Sequence, residues 1–345
     1  MDSTIALFLI QDGVINGAIY ALLAVALVLV FAVTRVILVP QGDFVTFGGL
    51  SLAALEAGRT PGAIWLLVML AAAAAVMDAF VAAREGDVGK AVRLLLRNLL
   101  PALLIAAAVH LLAPLRLGMA VNVLLVIAIT VPIGPYLYRV AFQPLADASV
   151  LVLLIAAVGV HLALTALGLV LFGAEGYRTA PVISGSFEIG PFFVSAQSLL
   201  VLAATLILLA ALALFFGRTL IGKALRASAI NRRGARLVGI PTMLSGRIAF
   251  AMAAAIGVVS AVLIAPLTTL YYDSGFIIGL KGFVAAIIGG LAAYPPAVAA
   301  AMAVGLLESF SSFWASAFKE AIVFAAIVPV LLWRSLTTQH ADEEE

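Results

Sequence analysis

The 345-residue sequence predicts an all-α, polytopic membrane protein, and three observations carry that expectation. The chain is 65% hydrophobic and only 10% charged, whereas soluble domains carry about 25% charge. Its mean hydropathy is +1.24. Apolar runs of about 20 residues recur from end to end, each long enough to cross a hydrocarbon core about 30 Å thick. A β-barrel would alternate apolar and polar residues in runs of about ten. About eleven hydrophobic segments result, some of them short or discontinuous, within one transmembrane domain over 1–338 and a disordered acidic tail over 339–345.

The N-terminus opens on Asp2 and reaches Asp12 before any Lys or Arg, so the first span, near Val14 to Thr34, is expected to be an uncleaved helix. Acids before it and Arg35 after it put the N-terminus outside. Asn16, Gly17 and Tyr20 place small and polar groups on one stripe, suited to helix contact. Val39-Pro40-Gln41-Gly42-Asp43 then breaks the apolar run ahead of a short segment to Ala57. Its polar groups should face protein or a cavity rather than lipid.

Spans from Ile64 to Ala83 and from Asn98 to Pro114 flank the connection 84–97, which carries four basic and two acidic residues and reads as cytoplasmic. Asp78 lies inside the first of them. The span from Met119 to Tyr138 holds Pro132, Gly134 and Pro135 and should kink near its end. Val150 to Phe172 crosses outward to a glycine-rich external loop, 173–195, with one arginine and two glutamates, and Ala196 to Phe216 returns. Ile248 to Thr268, Phe276 to Leu291, Pro296 to Phe313 and Glu320 to Trp333 complete the set, with the C-terminus in the cytoplasm.

Between the spans ending at Phe216 and beginning at Ile248 lies the basic stretch 218–247, with seven basic residues and no acids. It is a cytoplasmic loop by the positive-inside rule. Ala224, Leu225 and Ala229 give it the stripe of a short amphipathic helix, and Gly239 with Pro241 supplies a stop. A docking helix for a soluble partner and an ordinary basic loop both fit. Gly217, Gly222 and Lys223 nearly spell a phosphate-binding loop, but Ala224 stands where Ser or Thr must hold magnesium. ATP does not bind there.

With no cysteines, the chain has no disulfide, thiolate metal site or cysteine nucleophile. His110, His161 and His340 are scattered and form no metal cluster; the first two sit singly in apolar runs, as helix contacts do. No cofactor is called for.

Several blocks together resemble a known family. Gly279-Leu280-Lys281-Gly282-Phe283-Val284-Ala285-Ala286-Ile287-Ile288-Gly289-Gly290 looks like the signature region of branched-chain amino acid ABC permeases of the LivH type. Asn16 to Leu22, Arg139 to Leu145, Gly222 to Ala227 and Leu237 to Ile240 follow the same family's order. The resemblance implies a permease subunit that pairs with a second permease, two cytoplasmic ATPase subunits and a periplasmic or extracellular substrate-binding protein in a bacterial or archaeal inner membrane. It implies ATPase coupling through Gly222, Lys223, Arg226, Arg232, Arg233, Arg236 and Gly239. The chain departs from the pattern at Leu38 and Gln41, where similar proteins carry Asn and His, at Tyr294-Pro295-Pro296, and in an extra helical hairpin's length within 60–117. The substrate, a branched-chain amino acid or a similar amino acid or amide, is therefore left open.

A route for such a solute needs small residues and a few polar groups near the midplane. The candidates are Asn16, Tyr20, Gln41, Asp43, Lys281, Gly289 and Gly290. Close-packed glycines and interfacial charges explain the same residues without a route. A secondary transporter is the alternative class, for which Asp78, Lys281 and Glu308 are available but form no evident relay in sequence. An intramembrane enzyme has no paired carboxylates, metal cluster or nucleophile–base pattern to stand on.

Overall fold

The computed structural model describes residues 3–189, 192–291 and 293–338. Helix α1 (Ser3–Thr34) is followed by the short α2 (Gln41–Glu56), then α3 (Ala63–Arg84) and α4 (Val88–Leu112). Next come α5 (Met119–Leu137), α6 (Val150–Phe172), a small hairpin of β1 (Ser186–Ile189) and β2 (Phe192–Ser195), and α7 (Ala196–Arg218). The basic stretch forms α8 (Leu220–Ile230) and α9 (Arg232–Leu237). The chain closes with α10 (Thr242–Ile264), α11 (Ser274–Ile288), α12 (Tyr294–Trp314), α13 (Lys319–Ala325) and α14 (Ile327–Thr338). Among the described residues nine helical stretches are long and apolar enough to span a bilayer; with α2 and α11 they account for the eleven segments read from the sequence. The expected tail at 339–345 lies outside the described residues.

α1 is the hub, with 89% of its apolar window buried, against 17% for the span beginning at Val88. It packs on α7, α10, α11 and α12. The approach to α12 is set by small residues: a Cβ on Gly13 would lie 2.8 Å from the Leu306 Cα, and one on Gly17 2.9 Å from the Met302 Cα. In hydrocarbon, where apolar side chains gain little by leaving lipid, such close backbone packing is the main source of helix association.

Several expectations are refined. The first helix begins at Ser3 rather than near Val14 and carries Asp12 inside it. The basic stretch is two helices, because Asn231 leaves the helical conformation and its Oδ1 accepts from the Gly234 N–H at 2.9 Å, capping the second. The last span is split between α13 and α14. Pro132 and Pro135, where a kink is expected, lie within the continuous α5, and a π-helical turn, Tyr138–Phe142, follows it directly. The glycine-rich loop 173–195 contains the β1–β2 hairpin.

The connections sort onto two faces. On one, Tyr177 and Leu270 pair through their backbones at 2.9 Å, the Glu56 carboxylate accepts from the Ala180 N–H, and Arg116 donates to the Ala57 carbonyl. On the other, Arg232 donates to the Ala146 carbonyl at 2.8 Å and Arg247 to Gln143. That second face holds the basic stretch and is expected to be cytoplasmic. Ser228 within it is buried against Ser245, so surface labels belong elsewhere. In this cysteine-free chain, Val238→Cys should react with an impermeant maleimide only after cells are ruptured, and Ser184→Cys should react in intact cells; the opposite pattern would invert the topology.

Candidate functional site

Three constellations gather the candidate residues. The first surrounds Lys281, which α11 carries into the interior between α1 and α12. Its ammonium donates to Glu308 of α12 and, at 3.1 Å, to Glu320 of α13. The Tyr20 hydroxyl of α1 donates to the other Glu308 oxygen. Lys281 and Glu308 are both buried. Desolvating an ion costs several kcal/mol, so each charge here depends on the other. The sequence reading found no relay among Asp78, Lys281 and Glu308. The structure adds that Lys281 and Glu308 form a direct pair, while Asp78 lies elsewhere with Arg139.

A cavity of about 550 Å³ opens above this pair and is lined by Asp12 and Asn16 of α1, Glu308 of α12 and Lys319 of α13, with Leu267 among its apolar walls. Asn16 thus lines a cavity that borders the Lys281 cluster.

The second constellation sits where the two short helices meet. Residues 35–40 are not helical yet largely buried, bringing the start of α2 into the protein interior. Irregular backbone at that depth persists only where protein surrounds it. A Cβ on Gly42 would overlap the Gly275 carbonyl at the start of α11, so glycine is required on steric grounds. Gln41, fully buried, donates to the Ala253 carbonyl of α10 at 3.1 Å. Asp43 lies in the first turn of α2, where the helix dipole favours an acid. Its carboxylate meets His161 Nδ1 of α6 at 2.9 Å, and the imidazole stacks on Phe276 at 4.9 Å. His161 is thus a helix contact, as its lone position suggested, with Asp43 as the partner.

The third constellation is on the basic face. Arg232 and Arg236 are tied into the protein, to Ala146 and to Thr242 and Asp147 respectively. Lys223, Arg226 and Arg233 are exposed, beside Leu237 at 89% and Val238 at 76% exposure. Gly222 is buried where a Cβ would overlap the Phe215 carbonyl, closing the α7–α8 corner. Gly239 adopts φ +84° in the turn after α9. Gly289 and Gly290 do not join the other route candidates. Gly289 packs on Ala297 at the start of α12, and Gly290 turns the chain at φ +90°. Beyond them, Leu291 and Tyr294 line a cavity with Arg35 and Arg226.

Among the described residues no group of His, Cys, Asp or Glu has the spacing to hold a metal ion. Sequence reading missed the Asp78 tie: its carboxylate accepts from Arg139 Nε at 2.7 Å and from Asn98 at 2.9 Å, joining α3, α4 and the turn after α5. An acid and an arginine inside apolar runs were the available signal.

Comparison with known proteins then decides the family. The model of the family described as the branched-chain amino acid transport system permease component matches residues 89–331. The chain belongs to this family. The permease protein BraD of a high-affinity branched-chain amino acid transport system in Pseudomonas aeruginosa is 27% identical over 215 residues, covering 60% of this chain and 70% of that protein. LivH of Escherichia coli K12 is 27% identical over 201 residues, 56% of this chain and 65% of LivH. LivH of Salmonella typhimurium LT2 is 28% identical over 201 residues. The chain thus covers just under two thirds of the LivH proteins. No solved structure matches it significantly. This permease carries α3, and with it Asp78, ahead of the family match.

The buried Asp43–His161 pair yields a stability test for the permease. His161→Ala leaves the Asp43 carboxyl without its partner and should cost about 3 kcal/mol, lowering the unfolding temperature in detergent. Asp43→Asn combined with His161→Gln, which restores a neutral hydrogen bond, should regain most of that loss. Melting of His161→Ala at the wild-type temperature would show that the pair does not hold α2 to α6.

Proposed function

We propose that this chain is the permease subunit of an ABC importer that moves a branched-chain amino acid, or a similar small amino acid or amide, inward. ATP is hydrolysed by separate cytoplasmic subunits, and the permease is not itself an enzyme. The observation that carries the reading is the exposed α8–α9 surface of this family member, where Lys223, Arg226 and Arg233 stand beside Leu237 and Val238. Apolar side chains that exposed, on a basic face, suit a soluble partner with an acidic, partly apolar groove.

On this reading the chain pairs with a second permease, two ATPases and a substrate-binding protein outside. Its N-terminus is outside and its C-terminus in the cytoplasm. Lys223, Arg226 and Arg233 contact the ATPase, while Gly222, Arg232, Arg236 and Gly239 hold the docking helices in place. Asn16, Tyr20 and Lys281 lie on the solute route, Gln41 and Asp43 brace it, and Gly289 with Gly290 forms its cytoplasmic turn. The domain spans 1–338.

The buried Lys281–Glu308 pair favours one competing reading, a secondary transporter in which Glu308 couples solute to an ion. Energy source separates the two. Import by the ABC reading stops when ATP is depleted and survives an uncoupler while ATP is maintained; the reverse would establish ion coupling.

Docking is tested by substitution on the exposed side alone, because Gly222→Trp would also disrupt the α7–α8 corner. Arg233→Glu with Leu237→Asp and Val238→Asp should leave the permease folded and at normal abundance. It should weaken ATPase capture by about 30-fold or more, the loss expected when 2 kcal/mol of interface anchor is removed. Unchanged capture and substrate-stimulated ATP hydrolysis would remove α9 from the interface.

A further inference from the structure

The cavity between α1, α12 and α13 carries chemistry that the importer reading does not itself assign. Asp12 and Glu308 offer carboxylates, Lys319 an ammonium and Asn16 an amide, against apolar walls from Leu267 and Phe313. The ionisable groups of the cavity and of the pair beneath it are unequal. Lys281 lies between Glu308 and Glu320, Lys319 lies 4.0 Å from Glu320, and Asp12 has no cation of its own among these groups. Two lysines face three carboxylates. One Glu320 oxygen is also buried without a hydrogen-bond partner.

A bound cation would complete this balance, and Lys319 would repel it unless it also carried an anion. A free amino acid has both, held a few bonds apart. The cavity, at about 550 Å³, has room for one with an aliphatic side chain. Of the charged lining groups only Glu308 is buried, so its contact with a ligand ammonium is the least screened by water, while exposed Asp12 and partly exposed Lys319 add weaker ones.

We propose that this cavity is the permease's outer binding site for a zwitterionic α-amino acid. The ligand ammonium sits toward Asp12 and Glu308, the carboxylate toward Lys319, and the aliphatic side chain against Leu267 and Phe313. Glu308 joins the site to the interior, because the carboxylate that faces the cavity is the same one held by Lys281 and Tyr20. An arriving ammonium competes with Lys281 for it. The inference rests on the importer reading for direction of transport and goes beyond it in naming the site and the ligand's charge pattern. Both charges are required.

The chain lacks cysteine, so Ser312→Cys, exposed on the cavity wall, reports occupancy directly. The whole transporter carrying it is labelled in right-side-out vesicles with an impermeant methanethiosulfonate, and ATP-driven uptake is measured in the same vesicles. L-Leucine should slow labelling several-fold. Isopentylamine and 4-methylpentanoate, each lacking one charge, should not do so at the same concentration. Asp12→Asn and Lys319→Gln should each abolish the protection, and Lys319→Arg should retain it. Protection by none of the three compounds, equal protection by all, or protection that survives both charge removals would overturn the site. Should either variant fail to reach the membrane, the pattern among the three compounds decides alone. Leucine uptake without protection refutes the site and leaves the importer reading intact; charge-dependent protection without ATP-driven uptake supports the site and refutes that reading.

Discussion

One ammonium group constrains the membrane-embedded half of this fold. Lys281 is buried, so its counter-charges come from other helices. Glu308 and Glu320 supply them from α12 and α13, and Tyr20 fixes the rotamer of Glu308 from α1. Four helices are therefore held at defined heights around one nitrogen. Glycine contacts set how close α1 and α12 come, yet small residues alone leave their axial register soft. The Tyr20–Glu308 hydrogen bond supplies that register, and the Lys281–Glu308 pair fixes α12 against α11, since sliding α12 by a turn would separate two buried charges. Specificity of arrangement, more than raw stability, is what a buried pair contributes best.

Much of the architecture was legible because the bilayer simplifies the code. Length and hydropathy suffice for a span, and Arg or Lys marks the ends. The short segments at α2 and α11 were visible as glycine interruptions, since Gly42, Gly275 and Gly279 must admit a neighbouring backbone. Their mutual contact was not visible, because nothing local in either segment names its partner. The same limit hid the Tyr20–Glu308 contact, formed across 288 positions of sequence.

Some signals were present and went unused. Asn231 precedes Arg232 as a helix cap should, so the division of the basic stretch into α8 and α9 could have been read directly. Asp87 caps α4 in the same way through the Lys90 N–H. Among the arginines, sequence could not separate Arg232, spent on the Ala146 carbonyl, from Arg233, left exposed one position later. That difference is set by the direction in which a six-residue helix points its faces. Gly289 and Gly290 were grouped with the route residues on composition, although they serve the turn into α12.

The struts under α9 have a mechanical meaning. Arg232 and Arg236 fasten the helix to Ala146 and Asp147, while Arg247 reaches Gln143 from the foot of α10. All three anchor points lie in the corner between α5 and α6, just beyond the π-helical turn. That turn is braced by the Arg139–Asp78 pair and by Tyr138 and Phe142 packed on Phe250. A load applied to α9 from below is therefore passed to the corner between α5 and α6 as well as up its own adjoining helices. The lever and its pivot belong to different parts of the chain.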